Sequence, residues 1–141
     1  MEKKITVAVC LDDELGRTFG GRRQSRDRVL LADLLAECGE HALYAERYSE
    51  TLFPGSAHVT VCDDPMAVCP DGGVCFLETL PIKPRVAQID RLILYRWNRL
   101  YPADFYMDID PIGAGFVLES VLEFEGSSHA RITKEVYRTC K

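Results

Sequence analysis

Seven consecutive residues, Ile5-Thr6-Val7-Ala8-Val9-Cys10-Leu11, constrain the fold more than any other stretch of the chain. They carry no charge, lie between Lys3-Lys4 and Asp12-Asp13, and include four β-branched side chains. Such a run is too short for a buried helix and lacks the alternation of a half-exposed strand. It reads as a strand covered on both faces in the middle of a sheet, the position created by parallel sheets with helices against their faces.

The rest of the chain supplies neighbours for that strand. Residues 12–24 are polar, hold Gly16, Gly20 and Gly21, and read as a long loop. Ser25 can cap a helix whose apolar positions Val29, Leu30, Leu34 and Leu35 recur at helical spacing, and Gly39 stops it. Residues 41–45, 58–62, 74–77 and 91–97 read as further strands, with a turn of helix over 49–53 and a Pro- and Gly-rich loop over 63–73. Residues 116–124 are strand-like up to Glu125-Gly126. Residues 130–139 stay open: Ile132, Val136 and Cys140 fit a helix, whereas Ile132, Thr133, Val136, Tyr137 and Thr139 have strand propensity. The pattern predicts an α/β fold, a mainly parallel sheet flanked by helices with an antiparallel C-terminal hairpin. With no repeat, low-complexity tract or linker, residues 1–141 are expected to form one domain.

Composition narrows the class. Apolar residues at 47% and charged residues at 28% exclude a disordered chain, a collagen-like fibre and a disulfide-built mini-protein. A net charge of −5 argues against a general nucleic-acid coat or a membrane-surface protein. The cysteines (Cys10, Cys38, Cys62, Cys69, Cys75, Cys140) form no C-x-x-C pair. With His41, His58 and His129 they give neither zinc-ligand spacing nor the H-x-H-x-D-H pattern of a two-metal hydrolase, so no metal is expected. The start Met1-Glu2-Lys3-Lys4 precedes an apolar run too short for a signal peptide, and no stretch approaches a membrane span. Unpaired thiols without an export signal predict the cytoplasm.

Charge is concentrated in one place. Arg17, Arg22, Arg23, Arg26 and Arg28 with Asp27 give that window +4, leaving −9 for the rest of the chain. In Gly20-Gly21-Arg22-Arg23-Gln24-Ser25-Arg26-Asp27-Arg28 a glycine pair can let backbone approach a ligand. The helix start that follows offers free amides, and arginine forks match phosphate oxygens. The competing reading is a solvated charged loop. Asp27 is a candidate catalytic or ligand-binding carboxylate, held ionised by nearby arginines, or simply an acid in the first turn of a helix. Strand alternation puts Tyr95 and Trp97 on one side and Arg96 on the other, where the aromatic pair can stack a ring or fill the core. Asp104, Asp108 and Asp110 read as an exposed edge, and Ser127-Ser128-His129 as a polar turn.

In the order of these elements, over most of its length, the chain resembles the dihydrofolate reductases. The first strand and Gly16 are similar to that family's opening strand and its glycine, and Asp27 falls where the family places its pterin-binding carboxylate. Leu92-Ile93-Leu94-Tyr95-Arg96-Trp97-Asn98 and Ala103-Asp104-Phe105-Tyr106-Met107-Asp108 run without gaps against the late strand and the G-D-x-x-F-P segment. Residues 116–124 and 132–138 resemble the closing hairpin, which favours strand for 130–139. The resemblance implies a shortened, divergent bacterial member. Gly20-Gly21-Arg22-Arg23-Gln24 replaces the family's Trp-and-Pro loop, and Ala45-Glu46-Arg47-Tyr48-Ser49 aligns with the G-R-x-T motif that opens a helix under the cofactor phosphates. Glu78-Thr79 stand where a Gly-Gly pair follows the fourth strand, and Tyr95 replaces the threonine that partners the acid. Most of the NADPH-binding apparatus is thus lost. The expected function is binding of a phosphorylated small molecule or nucleotide. Arg22, Arg23, Arg26 and the amides near Ser25 would hold the phosphate, with Asp27 and Tyr95 or Trp97 at the ring. The alternatives are a divergent NADPH-dependent reductase of a pterin-like substrate and a module that touches RNA through the same loop.

Overall fold

The computed structural model describes residues 3–55 and 57–140; Met1 and Glu2 of the basic start lie outside them. Ile5–Leu11 forms β1, with every side chain buried except the half-buried Cys10. The chain continues through β2 (Gly16–Phe19), β3 (Arg22–Arg23), helix α1 (Arg28–Glu37) and β4 (Leu43–Glu46). Then come β5 (Val59–Cys62), the short helix α2 (Pro65–Val68), β6 (Val74–Phe76) and β7 (Ile89–Arg96). The last strands are β8 (Phe105–Tyr106), β9 (Phe116–Phe124) and β10 (Ile132–Thr139), and two 3₁₀ segments cover Arg47–Leu52 and Lys83–Gln88.

Seven strands make one sheet in the order β5-β4-β6-β1-β7-β10-β9. The first five run parallel, with Val7 of β1 opposite Cys75 on one side and Leu92 on the other. β10 is antiparallel to both β7 and β9, with a bulge between Val136 and Tyr137. The open question over residues 130–139 is therefore settled as strand. Pairing along both edges outweighs the helical spacing of three apolar residues.

Alternation along β1 divides the core. Val7, Val9 and Leu11 pack with Leu92, Leu94 and Phe116 on one face, and Ala8 packs with Leu30, Leu34, Phe76, Ile93 and Tyr95 under α1 on the other. Each fully buried leucine of α1 contributes about 1.5–3 kcal/mol by leaving water. Ions also seat α1: Lys134 of β10, buried, lies between Asp33 (2.8 Å) and Glu37, while Arg91 of β7 reaches Glu37 at 2.9 Å. Gly39 ends the helix with φ +58°, as its position predicts. The N-cap is Asp27, not Ser25: the Asp27 carboxylate accepts from the amides of Val29 and Leu30.

The expected loop over 12–24 is partly strand. Phe19 pairs with Arg22 around Gly20 (φ +60°) and Gly21 (φ +76°), a two-residue turn that needs positive φ at both positions. The glycine pair thus serves a hairpin, and nothing lies within 4 Å of where its Cβ atoms would stand. β2 also pairs with β8, giving a small three-stranded sheet over the carboxyl end of the large one. At the opposite edge, β9 buries only Phe116 well, and Val117, Leu118, Val121 and Leu122 are 48–55% exposed. No helix among the described residues is long and apolar enough to cross a membrane.

Candidate functional site

The carboxyl ends of β1 and β6, the start of α1 and the β2–β3 hairpin line a narrow pocket of about 20 Å³, which opens into a mouth that brings the empty space to about 390 Å³ with solvent included. Its apolar wall is Leu30, Leu31, Leu52, Phe76, Leu77 and Trp97, and its polar lining is Cys10, Arg17, Arg23, Gln24, Ser25, Arg26, Asp27 and Glu78. Ligands of open α/β sheets bind at such strand ends.

Local geometry explains how the chain reaches this shape. Asp12, 1% exposed, closes the turn after β1 by accepting from the amides of Glu14 (2.8 Å) and Gly16 (2.7 Å) and from Gln24 Nε2 (2.9 Å). Gly16 is required there, because a Cβ would stand 2.6 Å from Ala103 Cβ and 2.7 Å from Asp12 Oδ2. The hairpin then carries Arg23 across the pocket. Its guanidinium makes a forked pair with Glu78 (Nε–Oε2 2.9 Å, Nη2–Oε1 3.0 Å) and lies over the Tyr48 ring at 4.4 Å. Ser49 Oγ donates to the same Glu78 at 2.6 Å, so the strap joins hairpin, sheet end and 3₁₀ segment.

Asp27 is a structural anchor. Its Oδ1 accepts from the amides of Val29 (2.9 Å), Leu30 (3.2 Å) and Ser127 (3.0 Å), and its Oδ2 from the amide (2.7 Å) and hydroxyl (3.0 Å) of Ser128. Burial works against its charge, but the amides of Ser127, Ser128 and Leu30 hold the carboxyl far below the usual carboxylate range. A group so committed does not hand over a proton at neutral pH. His129, beside it, stacks on Trp97 (centroids 4.5 Å, 26°) and its Nε2 meets Tyr101 Oη at 2.8 Å and Ser25 Oγ at 3.3 Å. The polar turn expected at residues 127–129 therefore packs behind the site, against Ser25, Asp27 and Trp97. Burial and the charge of Glu78 push the Cys10 thiol well above the thiol range, which disfavours its thiolate.

The structure brings together Arg23, Ser25, Arg26, Asp27 and Trp97 and leaves two expected residues out. Arg22 is exposed on the hairpin and Tyr95 is fully buried in the core, its hydroxyl donating to Asp33 at 2.6 Å. Strand alternation placed Tyr95 and Trp97 on one side correctly, but α1 covers Tyr95 and only Trp97 reaches the pocket. Arg17, Gln24, Glu78 and the leucine wall were missed. No sequence signal marks an arginine as buried. Asp104 and Asp108 bind backbone, Asp104 at Gly20 and Asp108 at Ile82 and Lys83. Among the described residues no group of three His, Cys, Asp or Glu is arranged to hold a metal ion.

No protein-family model matches the chain, and no curated protein matches it. Solved structures do, among them a dihydrofolate reductase from Enterococcus faecalis complexed with NADP(H) and RAB-propyl. The TM-score is 0.72 at 10% identity, covering 98% of this chain and 97% of that one. The chain therefore has a dihydrofolate-reductase-like fold, and at that identity the likeness is one of fold alone.

The backbone that the resemblance assigns to a cofactor is committed within the chain. Glu46, 5% exposed, holds the end of β6: its Oε2 accepts from the amides of Glu78 (2.6 Å) and Thr79 (3.0 Å), and its Oε1 from the Thr79 hydroxyl. The chain's own carboxylate thus occupies the amides at Glu78-Thr79, where the resemblance expects a Gly-Gly pair beside cofactor phosphates. The helix expected beneath such phosphates is only the 3₁₀ segment Arg47–Leu52.

Proposed function

We propose that the protein binds a phosphorylated small molecule or nucleotide in this pocket, with its ring against Leu30, Phe76 and Trp97 and its charge met by arginine. One observation carries the reading. Arg17, Arg23 and Arg26 converge on an apolar-walled pocket, and among the described residues only Arg23 of the three has a carboxylate partner. In a protein of net charge −5, arginines left unpaired around a pocket favour an anionic guest. The Enterococcus faecalis reductase of the same fold is complexed with NADP(H) and a further small molecule, which supports a small-molecule partner. Ser25 and Arg26 stand at the mouth and Trp97 in the wall, while Asp27 shapes the site through its backbone bonds. Reduction of a pterin-like substrate by NADPH is the weaker alternative, opposed by Glu46 on the amides of residues 78 and 79.

A thermal-shift panel tests this. It holds mono- and triphosphate nucleotides, sugar phosphates, reduced and oxidised nicotinamide cofactors, folates, and a short RNA at two salt concentrations. A ligand at a hundred times its dissociation constant adds about 2.7 kcal/mol, several degrees in Tm. The expected result is a shift with nucleotides or sugar phosphates that shrinks in Arg26→Ala. A shift needing both NADPH and a folate would establish the reductase instead. A shift with RNA alone, falling steeply with salt, would establish the RNA module.

A further inference from the structure

Arg17 is the buried pocket arginine, and among the described residues its charge has no carboxylate partner. It sits in the bulge of β2, where the register with β8 jumps between Gly16 and Thr18, and bulges re-aim side chains in this way. The residue is 95% buried, being 5% exposed. Its Nη1 donates to the Leu80 carbonyl at 2.7 Å, and its guanidinium lies over the Phe105 ring at 4.9 Å. Nε and Nη2 have no partner among the described residues. Those two nitrogens form one edge of the guanidinium, the edge that receives a carboxylate or phosphate through two parallel bonds. The nearby carboxylates are committed elsewhere: Glu78 to Arg23 and Ser49, Glu46 to residues 78 and 79, and Asp108 to the amides of Ile82 and Lys83.

A second vacancy of opposite polarity lies in the same lining. Gln24 donates through Nε2 to Asp12 (2.9 Å), while its Oε1 is buried with no donor among the described residues. A buried, unanswered guanidinium edge is expensive unless something binds it, and here Arg17 and Gln24 both line one pocket.

We propose that Arg17 is the ligand's deep anion receptor: an oxyanion, carboxylate or phosphate, enters first and docks on the Nε–Nη2 edge, with an adjacent N–H or O–H of the ligand donating to Gln24 Oε1. The proposal rests on the ligand pocket of the preceding section and fixes the ligand's direction in it. The charged group lies innermost, the apolar body against Phe76 and Trp97, and Arg26 meets whatever projects at the mouth.

The test uses minimal probes, inorganic phosphate and acetate, with benzoate as a carboxylate on an apolar body. Readouts are Tm and the fluorescence of Trp97, the chain's only tryptophan and a pocket residue. The wild type is expected to respond saturably to at least one probe, and Arg17→Met to bind it at least about tenfold more weakly, the loss expected of a charged bidentate contact. Arg17→Lys keeps the charge without the fork and should fall between. Without any anion, Arg17→Met should be at least as stable as the wild type, because it removes an unanswered buried charge. That result also shows that the variant folds.

Response to phosphate but not to carboxylates names a phosphorylated ligand, and the reverse names a carboxylate. The fate of the preceding reading is separable. If nucleotides bind, lose affinity in Arg26→Ala and bind unchanged to Arg17→Met, the pocket stands and the deep receptor falls. If the minimal anions bind through Arg17 while no nucleotide or sugar phosphate does, the receptor stands and the nucleotide reading falls. No response to any probe, or an undiminished response in Arg17→Met, overturns the proposal.

Discussion

Replacing Asp27 by alanine takes an acceptor from five hydrogen-bond donors at once, of which the Ser128 hydroxyl keeps the Arg26 carbonyl at 2.7 Å. Two are amides of the first turn of α1, whose capping is worth about 1 kcal/mol (range about 0.5–2). Three belong to Ser127 and Ser128, a hundred residues away in sequence, and bonds to a charged acceptor are worth roughly 1.5–3 kcal/mol each, with incomplete additivity. The expected loss is about 4 kcal/mol, within the range for breaking a buried charged network. Against a total stability of about 5–15 kcal/mol, that lowers Tm by roughly 10–20 °C. Asp27→Asn keeps the cap oxygen but turns an NH₂ towards the Ser128 donors, so about half the loss is expected. Urea unfolding followed by circular dichroism measures both. The pH dependence supplies a sharper check. The folded carboxyl titrates below its unfolded value near 3.9, so its contribution is complete above about pH 4 and is lost as pH falls below that. The gap between wild type and Asp27→Ala should therefore be flat from pH 7 to 5 and shrink by about 1.4 kcal/mol per unit below pH 4. A loss under about 1 kcal/mol at pH 7, or a gap unchanged down to pH 3, would refute the anchor.

Three other perturbations probe separate parts of the fold. Tyr95→Phe removes the bond to Asp33 and is expected to lose about 1–2 kcal/mol in urea unfolding. Burial and the Asp33 carboxylate raise the Tyr95 phenol, so its protonated form stabilises the fold below about pH 10 and that contribution is lost above it; ultraviolet titration should leave one tyrosine silent until the chain unfolds. Gly126→Ala would put a Cβ 2.3 Å from Asp27 Oδ2 and 2.8 Å from Ile132 Cδ1, for an expected loss of about 1–3 kcal/mol, whereas Gly55→Ala meets nothing and should change stability by under about 0.5 kcal/mol. Leu118→Lys and Leu122→Lys on the exposed face of β9 should each move stability by no more than about 0.5 kcal/mol while lowering light scattering at high concentration; a loss above about 2 kcal/mol would show that the edge is covered.

Much of the sheet could be read in the residues because its signals are local. The uncharged run of β1, the stop at Gly39 and the β-branched pattern of β9 and β10 each follow from a few neighbours. The site was legible only in part because its parts are positioned from afar. Ser25 and Asp27 are both good caps, and the choice between them is made by Ser127 and Ser128, which hold Asp27 in place. Gly20-Gly21 announces a two-residue hairpin, but its flanks, Arg17-Thr18-Phe19 and Arg22-Arg23, lack the apolar alternation that would mark strands. Charged side chains are exposed by default, so nothing in the sequence marks Arg17 or Glu46 as buried; their roles come from a bulge in one strand and from the amides at the end of another.

The place of β10 between β7 and β9 bears on synthesis. β9 touches the large sheet only through β10, which leaves the ribosome after it. During that interval a nine-residue strand with Val117, Leu118, Val121 and Leu122 has no seat, and the β7 edge is bare. The nascent chain cannot complete its sheet by growing outward from β1, because the penultimate position is filled last. Translation halted before residue 132 would release a polypeptide with an unseated β9 and a bare β7 edge, a substrate for chaperones and proteases.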